Sequence, residues 1–337
     1  MEICFLKKLL ISFIKITLPL AFGVFLIWYV YDDLNHEERE QLYDSFRNAE
    51  YLWIWFSLLF GILSHLSRAY RWKFILEPLG LKPRFWNSFF AVMIGYMANM
   101  LLPRLGEVSR PGVLRRYEKM PFDKLFGTVV AERAADLAIL TVMICAVIIS
   151  EFDVLKNALS GLLTSGEKKY SIDTIATVTL VFLCIVIIFL IILKKSSHPF
   201  MLRIKNHAAG FATGIKSIFS MKNRWKFIFH TFFIWLMYIL MFYICFFSLP
   251  ETLNASFMGI LAAFVMGGLS IVFIQGGIGI YPAAIMGTLA LYGIAEPTGL
   301  ALGWIIWTGQ TLMIIFLGSL SLILVPVYNK KRIHEAR

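Results

Sequence analysis

Several stretches of about 20 residues carry almost no polar side chain, and the one ending at Leu193 reads VTLVFLCIVIIFLIIL. Nothing else in the chain restricts its fold as severely. In hydrocarbon a backbone must satisfy its own N–H and C=O groups, and a helix of about 20 residues does so across roughly 30 Å. Of the 337 residues, 59% are hydrophobic and 16% charged, where a soluble domain carries about 25% charged. The expected fold is all-α. It is a polytopic integral membrane protein of about eight transmembrane helices plus re-entrant or interfacial helices, forming a single domain over residues 1–337.

The formal net charge of +11 would suggest nucleic acid in a soluble chain. Here Lys and Arg sit in short loops between apolar runs, a placement that sets topology and lipid contact, so no nucleic-acid partner is expected. Spans are read near 9–31, 51–70, 125–150, 173–193, 227–248, 253–274, 277–294 and 298–327. Loop 32–50 holds seven acidic residues against Arg39 and Arg47 and should face outward. Segment 68–84 has five basic residues and one acidic, and 194–226 has eight Lys/Arg and no acidic residue, so both should face inward. The tail NKKRIHEAR is basic as well. Eight crossings with both termini cytoplasmic satisfy every bias, and a multi-pass protein of the cell (inner) membrane is expected. The first apolar stretch follows Lys7 and Lys8 like a signal peptide, yet it ends in VYDDL without a small-residue cleavage site, which favours an uncleaved span.

Segment 85–103, FWNSFFAVMIGYMANMLLP, is apolar but flanked on both sides by basic stretches. Counting it as a crossing would invert everything downstream, so a re-entrant or in-plane segment is expected. Such backbone persists at membrane depth only when buried in protein or facing a wet cavity. Within 194–226, Phe200, Ile204, Phe211, Ile215 and Phe219 recur at helical steps. The segment reads as an amphipathic helix on the inner membrane surface, or equally as a basic loop.

Other chemistry finds little footing. Cys4, Cys145, Cys184 and Cys245 are scattered, no CxxC occurs, and the six histidines are dispersed. Neither a disulfide framework nor a metal site is expected, and no cofactor is implied. GLLTSGEKK (161–169) has Glu167 where a phosphate loop needs lysine, and GGIGIYP lacks the strand–helix setting of a dinucleotide fingerprint. Asp32 and Asp33 follow the first span on the outer side, where paired acidic residues could hold metal and sugar. Five more acidic residues surround them, as in a solvated acidic loop.

The charged stretch VVAERAADLAIL (129–140) is harder to dismiss. In a helix Glu132 and Asp136 share a face and Arg133 lies three before Asp136. A charge at mid-bilayer costs about 2.5–3.5 kcal/mol, so such groups must pair, sit at the interface or face water. Either ERAAD caps the inner end of its helix, or it lines the floor of a polar cavity. The preceding PRLGEVSRPGVLRR (103–116) supports the cavity, since Arg104, Glu107 and Arg110 are spaced three apart and would align on one side of a short helix. Arginine's planar fork suits phosphate and carboxylate.

Together, GYMANMLLPRLGEVSRPGVLRRYE and FGTVVAERAADL resemble the signature of the lysylphosphatidylglycerol synthase transmembrane (flippase-like) family. The R-x-G-E-x-x-R element is Arg104, Gly106, Glu107 and Arg110, and V-x-E-R-x-x-D-L supplies Glu132, Arg133, Asp136 and Leu137. The family's R-x-x-R-W is matched by Arg68, Arg71 and Trp72. One departure is QGGIGIYPAA (275–284), where the family has P-G-G-x-G-x-x-E: Gln275 stands for the proline and Pro282 for the acidic residue. Gly276, Gly277 and Gly279 remain, so a flexible or broken helix is expected there. The resemblance implies a domain that moves an anionic phospholipid or lipid-linked headgroup between leaflets, its substrate site formed by Arg68, Arg71, Arg104, Glu107, Arg110, Glu132, Arg133 and Asp136. It implies membrane lipids as partners, with a homo-oligomer or a separate lipid-modifying enzyme as further candidates. The soluble aminoacyltransferase fused to well-known members is expected to be absent. The alternative is a membrane-embedded glycosyl- or lipid-modifying transferase using Asp32 and Asp33, and a weaker one is a non-transporting partner of an enzyme.

Overall fold

The computed structural model describes Thr17 and residues 21–102, 104–154, 156–157 and 221–330. They fall into two compact units, Met1–Val129 with Met221–Arg337, and Val130–Ser220. The expected span 173–193, the expected surface helix across 200–219 and the GLLTSGEKK segment lie outside the described residues. All regular structure among the described residues is helical, as the apolar runs require.

In the first unit, residues 21–33 form α1. Next comes α2 (His36–Asn48), opened by a capping box in which the Asn35 side chain accepts from the Glu38 backbone N–H at 3.0 Å and the Glu38 carboxylate accepts from the Asn35 N–H at 2.8 Å. Helix α3 (Tyr51–Leu76) has 26 residues, about 39 Å at helical rise, so it runs past the expected end at residue 70. Its buried stripe passes through Ile54, Ser57, Gly61, Ser64, His65, Arg68, Arg71, Trp72 and Ile75. The small members let α7 (Arg224–Ile244) approach closely, since a Cβ on Gly61 would stand 2.6 Å from the Met241 sulfur.

Between α3 and α7 in sequence lie α4 (Phe85–Leu101), α5 (Leu105–Glu118) and α6 (Phe122–Ser150). Helices α4 and α5 have 17 and 14 residues, about 26 and 21 Å, each too short for roughly 30 Å of hydrocarbon. They form a hairpin that returns to its starting point: the Arg84 backbone N–H and Nε each lie 3.2 Å from Glu118 Oε1. The apolar segment expected to be re-entrant is thus, over Phe85–Leu101, the first arm of a short hairpin. The two arms touch through Gly95 and Gly106, and the Asn99 amide oxygen accepts from the Gly106 N–H at 2.6 Å.

A second hairpin joins α8 (Phe257–Phe273) and α9 (Ile280–Ala290), of 17 and 11 residues. The sequence reading has these as two crossings. They are shorter than the four long apolar helices, about 26 and 17 Å, and pack as a hairpin in which Gly259 lies against Tyr292. The connection turns on Gly276, Gly277 and Gly279 with φ of 70°, 72° and 73°, a left-handed backbone that only glycine adopts without strain. Trp307 Nε1 donates to the freed Gly276 carbonyl at 2.7 Å. Last comes α10 (Glu296–Tyr328), 33 residues long. Helices α3, α6, α7 and α10 are each long and apolar enough to cross a membrane.

The hairpins open at opposite ends of the first unit. Arg84, Glu118 and Asn329 meet at the mouth of the first, beside Asn223 and Glu77, whose side chains are 2.6 Å apart. Around the mouth of the second, Gln41 reaches Thr298 at 3.3 Å and the Glu50 N–H donates to Ser248 at 2.9 Å. An apolar core fills each end. One is built on Leu42, Phe242, Ile285 and Leu302, the other on Trp72, Met93, Leu114 and Val129.

In the second unit α6 continues to Ser150, with Ala131, Ala134, Ala135, Met143 and Val147 buried and Leu137, Val142 and Ile149 exposed.

Candidate functional site

Three arginines lie inside the first unit with 3%, 0% and 4% of their surface exposed: Arg68, Arg71 and Arg110. Helix α3 supplies the first two, three residues apart and therefore on one face. The α4–α5 turn aims the third back at α3.

Each guanidinium is held against aromatic faces. Arg110 Cζ lies 3.9 Å from the centre of a Trp72 ring. Trp72 is itself fixed by its indole N–H, which donates to Thr128 Oγ1 at 2.8 Å. Arg71 Cζ is 5.1 Å from the Phe227 ring, and its Nη1 donates to Thr231 Oγ1 at 2.9 Å. Arg68 sits 5.9 Å from both Tyr96 and Tyr238, whose hydroxyls are 3.3 Å apart. Ring contacts to a desolvated cation contribute about 2 kcal/mol, less than the roughly 2.5–3.5 kcal/mol of placing an arginine at mid-bilayer. A guanidinium's planar fork of N–H donors suits carboxylate or phosphate.

A family model described as the lysylphosphatidylglycerol synthase TM region matches residues 16–318. The chain belongs to that family. It is also 38% identical over 95 residues to a UPF0104 membrane protein of Methanocaldococcus jannaschii, an alignment that covers 27% of this chain and 28% of that protein. No solved structure matches the chain.

Within this member of the lysylphosphatidylglycerol synthase TM family, the motif residues separate by environment. Arg68, Arg71 and Arg110 are all buried in the first unit, with Arg110 over the Trp72 ring. Arg104 does not join them. It is the residue before α5, in a left-handed backbone with φ 63°, and it is exposed, so the expected helical row of Arg104, Glu107 and Arg110 loses its first member. Glu107 is half-buried in the first turn of α5. Glu132 and Asp136, in the second unit, are 1% and 8% exposed on one face of α6, with Arg133 half-buried. The glycines mark the break between α8 and α9. Pro282, at the position of the family's acidic residue, is buried where α9 meets α10: a Cβ on Gly303 would stand 2.7 Å from its Cα.

Asp32 and Asp33 are exposed, with Asp32 Oδ1 4.0 Å from Arg39. Among the described residues no group of three or more His, Cys, Asp and Glu side chains is placed to hold a metal ion.

Sequence reasoning missed two sets of residues. Around Arg68 stand His65, Tyr96 and Tyr238, with the His65 ring 4.9 Å and 6.1 Å from the two tyrosines. His65 lies on the buried stripe of α3, so its helical spacing could have found it. Tyr96 and Tyr238 are 142 residues apart and carry no local signal. The other set closes the first hairpin. Asn87, fully buried, donates to Glu118 at 2.5 Å and accepts from Asn329 at 2.7 Å. Burial alone would raise the Glu118 carboxyl above its ordinary range, but hydrogen bonds from Asn87 and Arg84, with the Arg84 charge, outweigh it and leave the net shift downward.

Proposed function

We propose that this chain moves an anionic phospholipid or lipid-linked headgroup between leaflets. The arginines Arg68, Arg71 and Arg110 hold the phosphate at membrane depth while the acyl chains stay in the bilayer. One observation carries the reading: three guanidiniums buried to 4% exposure or less in an apolar helical unit, each with its face on an aromatic ring. Positive charge at that depth disfavours a purely structural role, because well-packed apolar side chains would be cheaper. Membership in a lipid-related membrane family supports it further. Release of the headgroup requires the arginines to change partners or a carboxylate to take up a proton. Glu107, Glu132 and Asp136 are the buried or half-buried carboxylates of the motif. The protein resides in the cell membrane with both termini in the cytoplasm, and membrane lipid is its partner.

Fluorescent-lipid translocation in proteoliposomes tests this. Arg71→Ala and Arg110→Ala should each reduce the rate at least about tenfold, the equivalent of 1.4 kcal/mol of lost headgroup binding. Arg104→Ala should stay within about twofold, as an exposed charge does. Wild-type rates in both buried-arginine variants would overturn the proposal.

A further inference from the structure

Among the described residues, Nδ1 of His65 and Nε1 of Trp235 are buried with no hydrogen-bond partner. His65 is 4% exposed. Buried polar groups almost always find partners, and at membrane depth no bulk water relieves an orphan. These two belong to one cluster of rings. The His65 ring lies 4.9 Å from Tyr96 and, edge-on, 6.1 Å from Tyr238, and Trp235 meets Tyr238 edge-on at 6.3 Å. The hydroxyls of Tyr96 and Tyr238 are 3.3 Å apart, and Arg68 is 5.9 Å from both tyrosine rings.

We infer that His65, Tyr96, Trp235 and Tyr238 form a subsite for an uncharged, hydroxyl-bearing headgroup of the lipid whose phosphate the arginines hold. The inference rests on the lipid reading above and names the substrate class. An indole offers one donor, a neutral imidazole one donor and one acceptor, and phenols both, which matches hydroxyl groups that also donate and accept. Aromatic faces suit the C–H surface of a glycerol, inositol or sugar. An amine headgroup fits poorly, because Arg68 already places a positive charge on the two tyrosine rings and a second cation there would be repelled. A bare phosphate would leave His65 and Trp235 unsatisfied.

The test measures which lipids full-length purified protein retains from mixed nanodiscs by mass spectrometry. The probes are phosphatidylglycerol, a polyprenyl-phosphate-linked hexose, phosphatidic acid and phosphatidylethanolamine. One or both hydroxylated lipids should be enriched at least about tenfold over phosphatidic acid and phosphatidylethanolamine, the yield of two ordinary hydrogen bonds. Which of the two is enriched tells a phospholipid from a polyprenyl source. Trp235→Phe keeps the ring and removes only the N–H, and His65→Phe keeps an aromatic ring of similar size. Each removes one of those two bonds and should leave the hydroxylated lipid only about threefold enriched over phosphatidic acid. Arg68→Ala should lower retention of every anionic lipid. Folded Trp235→Phe and His65→Phe proteins that keep the full preference would overturn the subsite while leaving the lipid reading intact, and so would enrichment of phosphatidylethanolamine. Equal retention of all four lipids, unaffected by Arg68→Ala, would overturn both.

Discussion

Arg84 and Glu118 form an ion pair at 3.2 Å, and the Glu118 side chain is only 4% exposed. Its downward-shifted carboxyl ties folding to pH. A group depressed in the folded state contributes stability above its unfolded pKa, near 4.3, and that contribution disappears as pH falls through the lower folded value. The detergent-solubilised protein should therefore lose thermal stability as the pH drops below about 4.5. Glu118→Gln should be less stable at pH 7 and show a flatter profile in that acid range. Thermal melts of both proteins between pH 7 and pH 3 check this, and parallel profiles would count against the assignment. Aromatic rings act differently around Arg68, Arg71 and Arg110, lowering the expense of burying each cation alongside its other partners.

Short arms define the hairpin elements, and close backbone contact holds them together. A Cβ on Gly106 would lie 2.1 Å from the Gly95 carbonyl oxygen, a backbone atom that cannot step aside. Gly106→Ala should destabilise the protein by about 1–3 kcal/mol or more through overpacking. Gly112, six residues along the same helix, has nothing within 4 Å of its would-be Cβ. There the same change should stabilise by about 0.5–1 kcal/mol, because alanine gives up less backbone freedom in a helix. Opposite shifts in unfolding midpoint for two glycines of one helix would be hard to obtain unless α4 and α5 pack as described. The α8–α9 connection is a break of another kind. Its glycines bend the chain back, and Trp307 occupies the carbonyl that the break exposes.

At the level of the whole molecule, the charge biases predict which face each end of the first unit meets. The acidic end with α2 and the second hairpin mouth should face outward, and the basic end with Arg84 and the first hairpin mouth should face the cytoplasm. In a variant stripped of native cysteines, Glu40→Cys should react with a membrane-impermeant thiol reagent in intact cells. Lys82→Cys should react only after permeabilisation. The reverse pattern would invert the topology. Reading 253–274 and 277–294 as a hairpin leaves this arrangement unchanged, because two crossings and one re-entrant hairpin both return the chain to the side it left.

Much of this was legible before any coordinates. Runs such as 231–244 force helices in a bilayer, because hydrocarbon offers backbone groups no other partner. The unbalanced charges of 68–84 and 32–50 set an orientation, and the basic flanks of 85–103 already spoke against a simple crossing. The motif singled out Arg68, Arg71 and Arg110 but could not separate them from Arg104, because burial depends on how α5 folds back onto α3 and not on spacing along α5. Tyr96, Trp235 and Tyr238 were silent in one dimension, since a residue acquires this kind of role from a neighbour 142 positions away. Local hydrophobicity decides that a segment enters the membrane. Only the meeting of separate helices decides which of its polar groups are buried together.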